Sequence, residues 1–330
     1  MKFFIPFFLV VLFISGCSTK EVFEPKVVDK PWQEPQDCES EIVDVSSGVA
    51  LLENHHLLTK SSELNITIQP QERVIGVSDG WVITTTIDGN VTLRGVEDEN
   101  LTHKLELKKT VATASVSNGV LAVVFGSNAL ALYDTATEAL LFKEEGGKVV
   151  ALNAQIQQPY FMNGLVIFST LDGKVVIVNI AQKKRLRTVL ISSEDFFNNI
   201  ISFGIVQNKI IAASGYELLS LSQQEIRKKY DIRDVVYNDD IIYITTKQGE
   251  LISLTPALDV ITKVKFPFAH FLGMIVKGDF VYLLEKEGYI IKVDKHSFAY
   301  TVHEVDLEDG MVFVGDDAFY VDDTKIDALK

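Results

Sequence analysis

Few side chains in this chain of 330 residues have the spacing that enzyme or metal chemistry requires. The six histidines form no metal-binding motif, and the sequence contains no Gly-x-Ser-x-Gly elbow, phosphate loop or Cys-x-x-Cys pair. The histidines are His55, His56, His103, His270, His296 and His303. Acidic runs such as Glu97-Asp98-Glu99 lack the spacing of a calcium loop and read as solvated turns. We therefore expect no enzyme and no metal site. Of the two cysteines, Cys17 and Cys38, only Cys17 has surroundings that indicate a reaction.

Cys17 follows a short apolar run with a positive charge at its start. Lys2 provides the charge, residues 3–16 are mostly apolar, and Ser15 and Gly16 are small, as at a cleavage site. The run is shorter than the roughly 20 apolar residues of a permanent membrane-spanning helix. This arrangement resembles a bacterial lipoprotein signal, with Ile14 where leucine is commoner. The resemblance implies that residues 1–16 are removed and that Cys17 carries lipid. The alternative is an ordinary secretory peptide.

The residues after Cys17 predict an address and a tether. In Gram-negative lipoproteins a serine in the place of Ser18 directs the protein to the outer membrane. Residues 17–40 contain three prolines among charged residues, which favours a semi-extended tether. Cys38 in this tether is either an unremarkable thiol or a site of intermolecular pairing.

Composition separates the remaining function classes. Hydrophobic residues make up 47% and charged residues 23% of the chain, which is typical of a globular protein with a real core. The net charge of −14 argues against binding to nucleic acid.

From residue 41 to residue 330 one pattern repeats. Each unit has a turn, an apolar run, a second turn and an alternating run, and residues 163–178 are the clearest copy. Asp-Gly between two apolar runs predicts a tight hairpin, since such a turn needs positive φ. The interval of roughly 37 residues matches a four-stranded propeller blade. Eight turn positions mark the units, namely Gly48, Gly80, Gly119, Gly164, Lys209, Asp240, Asp279 and Gly310.

The repeat predicts an all-β fold, a β-propeller of eight four-stranded blades over residues 41–330. Within a blade, the hairpin supplies the two middle strands, and the runs before and after it supply the inner and outer strands. The last unit is short of a strand, and we expect an N-terminal strand from Val22–Val28 to close the ring. Seven blades with Gly48 outside the ring, or a pair of β-sandwiches, are the alternatives.

The phrase Ser169-Thr170-Leu171-Asp172-Gly173 between two apolar runs resembles the PQQ-type propeller repeat. With the lipoprotein signal, the length and the eight units, the chain resembles the BamB family of outer-membrane lipoproteins. That resemblance implies a non-enzymatic scaffold, facing the periplasm, that docks on the central barrel protein BamA and assists the assembly of β-barrel proteins.

The chain also departs from its relatives. Trp32 and Trp81 are the only tryptophans, and neither stands where family blades carry an outer-strand tryptophan. The Leu-Arg-rich loop of the family has no convincing match. Quinoprotein dehydrogenases share a related repeat, but their tryptophan-docking pattern and adjacent cysteines are missing here. We therefore expect no PQQ and no other cofactor.

Two groups of side chains are candidates for docking a protein partner. The first is basic and is predicted on the rim of adjacent units, where it either meets an acidic partner or consists of ordinary charged turns. Its members are Lys183, Lys184 and Arg185, with Arg187 and residues 227–229 nearby. The second is aromatic and lies in connections between units, where it either docks a partner or packs between blades. Its members are Phe196, Phe197, Phe268 and Phe271.

The sequence thus predicts a lipid-anchored propeller that acts by binding, in the manner of BamB. A surface-exposed adhesin or ligand-binding propeller is the alternative function.

Overall fold

The computed structural model describes residues 21–46 and 48–329. These residues form strands and turns without a helix, and therefore contain no helix that is long and apolar enough to cross a membrane. The strands form eight four-stranded antiparallel sheets, which are the eight predicted blades. The predicted signal peptide and Cys17 lie outside the described residues.

The strands follow one another along the chain, four to a blade, after a short N-terminal strand. That strand and blades one to four are β1 (Gln36–Asp37); β2 (Ile42–Ser46), β3 (Val49–Leu52), β4 (Leu57–Thr59), β5 (Glu63–Leu64); β6 (Arg73–Ser78), β7 (Trp81–Thr85), β8 (Asn90–Gly95), β9 (Thr102–Glu106); β10 (Val111–Ser117), β11 (Val120–Phe125), β12 (Leu130–Asp134), β13 (Leu140–Glu144); β14 (Tyr160–Met162), β15 (Leu165–Ser169), β16 (Lys174–Asn179), β17 (Lys184–Leu190). Blades five to eight are β18 (Ser202–Val206), β19 (Lys209–Ala213), β20 (Glu217–Leu221), β21 (Glu225–Lys229); β22 (Ile232–Asn238), β23 (Ile241–Thr246), β24 (Glu250–Leu254), β25 (Val260–Lys265); β26 (Phe271–Lys277), β27 (Phe280–Glu285), β28 (Tyr289–Asp294), β29 (Tyr300–Glu304); β30 (Val312–Val314), β31 (Ala318–Val321), β32 (Thr324–Asp327), with β1 as the outer strand of blade eight.

The hydrophobic core lies between the blades and shows that the ring is closed. Each of eight apolar clusters joins two neighbouring blades. The closing cluster packs Phe313 of blade eight against Ile42 and Ala50 of blade one. Because both faces of a blade are covered in this way, the middle strands read as continuous apolar runs rather than as alternating ones.

The local sequence explains the tight turns. Asn118-Gly119 and Asn163-Gly164 join first to second strands, and both residues of each pair have positive φ. Asparagine and glycine tolerate this backbone conformation best, and it suits the twist of a two-residue hairpin. Seven of the eight predicted turn positions stand at or directly before a second strand. The eighth, Gly310, precedes β30, which is a first strand.

The N-terminal closure is confirmed, but a different segment provides it. Gln36–Asp37 pairs antiparallel with β32, whereas residues 22–28 form no strand. Blade eight already has three strands of its own, because β32 follows β31 through a tight turn that the sequence pattern did not reveal.

Residues 21–40, which the sequence predicts as part of a tether, pack against blades six to eight, and we call them the strap. The backbone N–H groups of Asp29 and Trp32 donate to the carbonyl oxygens of Val302 and Glu304, each at 2.7 Å. Phe23 and Trp32 are buried against the blades. These buried aromatic side chains hold the strap against the blades. The proline content of the segment does not predict that contact.

Candidate protein-docking surface

Strand order defines two faces of the ring. Within a blade the chain reverses after every strand, so the first and third connections lie at one end of the strands. The second connection and the link to the next blade lie at the other end. We call these ends the turn face and the connection face. Contacts support the assignment, because Phe266, in the link between blades six and seven, donates its N–H to Gly249 in a second connection, at 2.7 Å.

Phe196 and Phe197 lie on the connection face, in the link between blades four and five. Their side chains are 54% and 49% exposed. The two residues that follow them are buried asparagines, which sequence reasoning left without a role. Asn198 Nδ2 donates to the carbonyl oxygen of Ser192 at 2.9 Å, and Asn199 Nδ2 donates to that of Gln155 at 2.7 Å. The asparagines therefore fix the link and leave the phenylalanines facing solvent.

Phe268 lies in the link between blades six and seven, and Phe271 is the first residue of the next strand, β26. The two side chains differ in exposure. Phe268 has a φ of 64° and is 57% exposed. Phe271 is 1% exposed and packs its ring against that of Phe266, with 6.0 Å between centroids. Phe271 is therefore a core residue between blades, as in the alternative interpretation, and we leave it out of the docking surface.

The basic residues lie on the outer edges of blades four and five. Lys184 and Arg185 begin β17 at the turn face, away from the exposed phenylalanines. Arg185 pairs with Glu144 at 2.7 Å. Glu225 bridges the two blades, because it contacts Arg187 at 2.7 Å and Arg227 at 3.1 Å.

Much of this basic charge is therefore neutralised locally. Lys183 and Lys184 are exposed and form no salt bridge with a described residue. Arg185, Arg187 and Arg227 form exposed ion pairs with Glu144 and Glu225. Exposed ion pairs contribute about 0–1 kcal/mol each, so these pairs hold the arginines only loosely.

The centre of the ring is a channel of about 1660 Å³ lined by the inner strands. Asp234 faces it, and burial raises the pKa of its carboxyl group, which accepts the N–H of Val235 at 2.8 Å. Ser202 and Tyr237 share a hydroxyl hydrogen bond of 2.7 Å, and burial also raises the pKa of Tyr237. Among the described residues, His, Cys, Asp and Glu form no group of three or more that could hold a metal ion.

Cys38 lies beside the closing strand. Its N–H donates to the carbonyl oxygen of Asp323 at 2.5 Å, and its side chain is partly buried. Burial raises the pKa of the thiol, with Lys325 opposing the effect. The thiol is therefore held in a less reactive state than that of a free chain.

The eight four-stranded blades in a closed ring define a β-propeller. The chain belongs to the family described as outer membrane protein assembly factor BamB, whose profile matches residues 55–313. The crystal structure of BamB from Moraxella catarrhalis superposes with a TM-score of 0.66 at 12% identity, covering 87% of this chain and 96% of that one. A computationally designed protein superposes with a TM-score of 0.61 at 13% identity, covering 91% and 99%. At these identities the structural matches show the fold alone.

Two curated relatives are similar over most of the sequence. The plasminogen-binding proteins PgbB from two strains of Helicobacter pylori are each 27% identical over 348 aligned positions, which cover 91% of this chain. The chain spans 64% of the length of these relatives.

Proposed function

We propose that this protein is a lipid-anchored, non-enzymatic scaffold that faces the periplasm at the outer membrane. In this role it binds a BamA-like protein and assists the assembly of β-barrel proteins. The observation that carries the proposal is the family match, which extends from blade one to the first strand of blade eight. The lipoprotein signal ending at Cys17 supports the location.

We propose that the partner docks on Phe196 and Phe197. Two adjacent aromatic side chains, exposed on a link that buried asparagines hold in place, form a preorganised apolar contact. Aromatic residues are enriched among the hot spots of protein interfaces, and a fixed loop loses little entropy on binding.

Co-purification from native membranes in mild detergent tests the proposal. The wild-type protein should recover the large barrel-assembly protein in near-stoichiometric amount. The double substitution Phe196→Ser with Phe197→Ser should lower that recovery at least about tenfold, because a lost hot spot costs about 2 kcal/mol or more. Lys183→Ser with Lys184→Ser, on the opposite face, is the matched control and should leave recovery unchanged.

Two outcomes would contradict this proposal. Recovery that fails in the lysine variant and survives in the phenylalanine variant would move the docking surface to the turn face. Absence of the barrel-assembly protein from intact, lipidated wild-type bait would reject the scaffold function itself. Circular dichroism and the melting temperature of each variant show whether its propeller is folded.

The likeness to PgbB favours one second candidate, a surface-exposed propeller that binds a host protein such as plasminogen. Its support is 27% identity over 91% of the chain, with the relatives extending well beyond the matched part. Protease treatment of intact cells separates the two functions. Cleavage of this protein under conditions that spare a periplasmic marker, together with plasminogen binding by the purified chain, supports the second function. Full protection supports the first.

A further inference from the structure

The strap fixes the point at which a lipid anchor would join the propeller. Phe23 inserts between blades six and seven, with its ring centroid 6.2 Å from that of Phe266 and 5.7 Å from that of Tyr289. Cys17 precedes Phe23 by six residues in the sequence. Six residues span at most about 20–22 Å when fully extended. A lipid on Cys17 would therefore hold this one edge of the ring close to the bilayer.

We propose that the connection-face edge of blades six and seven, centred on Phe268, rests on an anionic membrane surface. The proposal rests on the lipid anchor of the proposed function. It assigns different roles to the two exposed aromatic links, with Phe268 facing lipid and Phe196 and Phe197 facing a protein partner.

The chemistry around Phe268 suits a membrane interface. Pro267 and Phe268 are exposed, and Phe266 beside them carries the contact with Phe23. Two exposed lysines belong to the same edge, and neither of them forms a salt bridge with a described residue. They are Lys265 directly before Phe266, and Lys286, whose N–H donates to the carbonyl oxygen of His270 at 3.0 Å.

Unpaired lysines around an exposed aromatic ring are the combination that anionic headgroups and the acyl boundary attract. They stand out in a chain whose net charge is −14. Burial and the nearby carboxyl groups of Glu304, Glu285, Glu24 and Glu287 raise the pKa of Tyr289 at this edge, so the local charge is mixed. The short connection from Cys17 to Phe23 compensates for the mixed charge, because a lipid on Cys17 would keep Phe268 and the lysines at a high effective concentration next to the bilayer.

Phe197 provides an internal comparison. It occupies the equivalent link two blades earlier, also with positive φ (52° against 64°) and with similar exposure, 49% against 57%. Its link contains Glu194 and Asp195, both exposed, where the Phe268 edge has lysines. It is also remote in the ring from the strap. The same fold position thus has exposed lysines beside it at one site and only acidic charged residues in the link at the other.

Tryptophan fluorescence of the full lipidated protein tests the assignment. Phe268→Trp and Phe197→Trp are made separately and reconstituted into vesicles of phosphatidylethanolamine and phosphatidylglycerol with brominated acyl chains. The fluorescence of the wild-type protein, which comes from Trp32 and Trp81, is subtracted from that of each variant. Bromine quenches only indoles that reach the acyl boundary, so quenching in Phe268→Trp should exceed that in Phe197→Trp by about twofold or more. Adding Lys265→Glu and Lys286→Glu should reduce it.

Equal quenching in the two variants, greater quenching in Phe197→Trp, or none in either would overturn the membrane-facing assignment. The same preparations report on the anchor, because mass spectrometry and vesicle flotation show whether Cys17 is lipidated. Lack of lipid would overturn the anchor and this assignment together. Lipidated protein without quenching in Phe268→Trp would overturn this assignment alone. Co-purification of the barrel-assembly protein is measured separately and is unaffected by either result.

Discussion

At the scale of single residues, the proposed docking surface depends on polar side chains that hold the aromatic ones in place. Asn199 is 0% exposed, and it accepts the N–H of Asn153 at 2.7 Å while donating to Gln155. Asn199→Ala should lower the free energy of unfolding by about 1–3 kcal/mol, because it leaves these buried backbone groups without partners. The measurement is denaturant unfolding.

The matched control for this change is Asn100→Ala. Asn100 is exposed and bonds only within its own turn, so its loss should change stability by less than about 0.5 kcal/mol. Similar effects of the two substitutions would show that Asn199 does not fix the link. The Asn199 variant should also weaken partner recovery, since its phenylalanines are no longer preorganised.

Glu285 is a second residue whose role is visible only in the structure. It is 0% exposed, and its two carboxylate oxygens accept the N–H groups of His270 at 2.8 Å and Glu287 at 2.7 Å. Burial raises its pKa above the ordinary value of 4.5 despite these hydrogen bonds. Between the ordinary and the raised pKa the folded protein binds more protons than the unfolded chain. The stability that Glu285 contributes is therefore present in acid and lost as pH rises through the raised pKa.

The prediction concerns Glu285→Gln, which cannot titrate. The melting temperature of the wild type, relative to this variant, should increase as pH is lowered from about 8 to about 5. Scanning fluorimetry of both proteins at each pH provides the measurement. A difference that stays constant, or decreases toward acid, would contradict a raised pKa at this position.

Residue types alone located part of the candidate docking surface. The sequence places Phe196, Phe197 and Phe268 in connections between units and leaves open whether their rings dock a partner or pack between blades; the structure shows all three exposed. The burial of Phe271 was not predictable, because one residue of register decides whether a ring enters the core at the start of β26. The role of Asn199 was equally hidden, since its partners Asn153 and Gln155 lie more than 40 positions away.

At the scale of elements, the connection that carries Phe268 depends on a glycine in the neighbouring turn. Gly249 has a φ of +76°, and a Cβ there would lie 2.1 Å from the carbonyl oxygen of Phe266. Gly164 has nearly the same φ, +75°, but a Cβ would meet nothing within 4 Å. Comparing an alanine substitution at each glycine separates the cost of backbone strain, which both sites share, from the cost of steric crowding, which arises only at Gly249.

Gly164→Ala should cost about 1–2 kcal/mol of folding free energy, the ordinary penalty of a left-handed alanine. Gly249→Ala should cost a further 1–3 kcal/mol or so, because the backbone of the Phe266 link must move to make room. Denaturant unfolding of both variants decides the question. Equal costs would mean that the link adjusts freely and is not supported by this turn.

Most elements were predictable from local signals. Paired turn residues such as Asn163-Gly164 and Asp172-Gly173 bracket an apolar run of fixed length, and this determines two strands of a blade without tertiary information. Strand β32 was missed because its sequence, Thr324–Asp327, is short and mostly polar. The strap was read as a tether, since its strand consists of Gln36 and Asp37, whose pairing depends wholly on the edge that β32 presents.

At the scale of the whole molecule, the ring must join its two chain ends without a covalent bond. Blade eight contains residues from both ends, and the apolar cluster beside it includes Trp32 of the strap together with Ile326. The strap supplies the outer strand of blade eight, and blade eight packs Phe313 on blade one, so we expect loss of the strap to weaken ring closure. The same segment would carry the lipid, which couples the orientation at the membrane to closure.

Trp32 offers the sharpest test of this closure. Its ring is buried between blades seven and eight, and Nε1 donates to the carbonyl oxygen of Asp327 at 2.9 Å. Trp32→Ala should cost about 3–5 kcal/mol, as is usual for a buried tryptophan. It should also make residues 21–40 sensitive to limited proteolysis, because the strap then loses its main contact with blade eight.

Trp81→Ala is the control, since Trp81 is half-buried on β7 beside His103, far from the strap in sequence and in the ring. It should lower stability less and leave the strap protected. A Trp32 variant that melts like the Trp81 variant, with residues 21–40 still protected, would show that the ring closes without the strap.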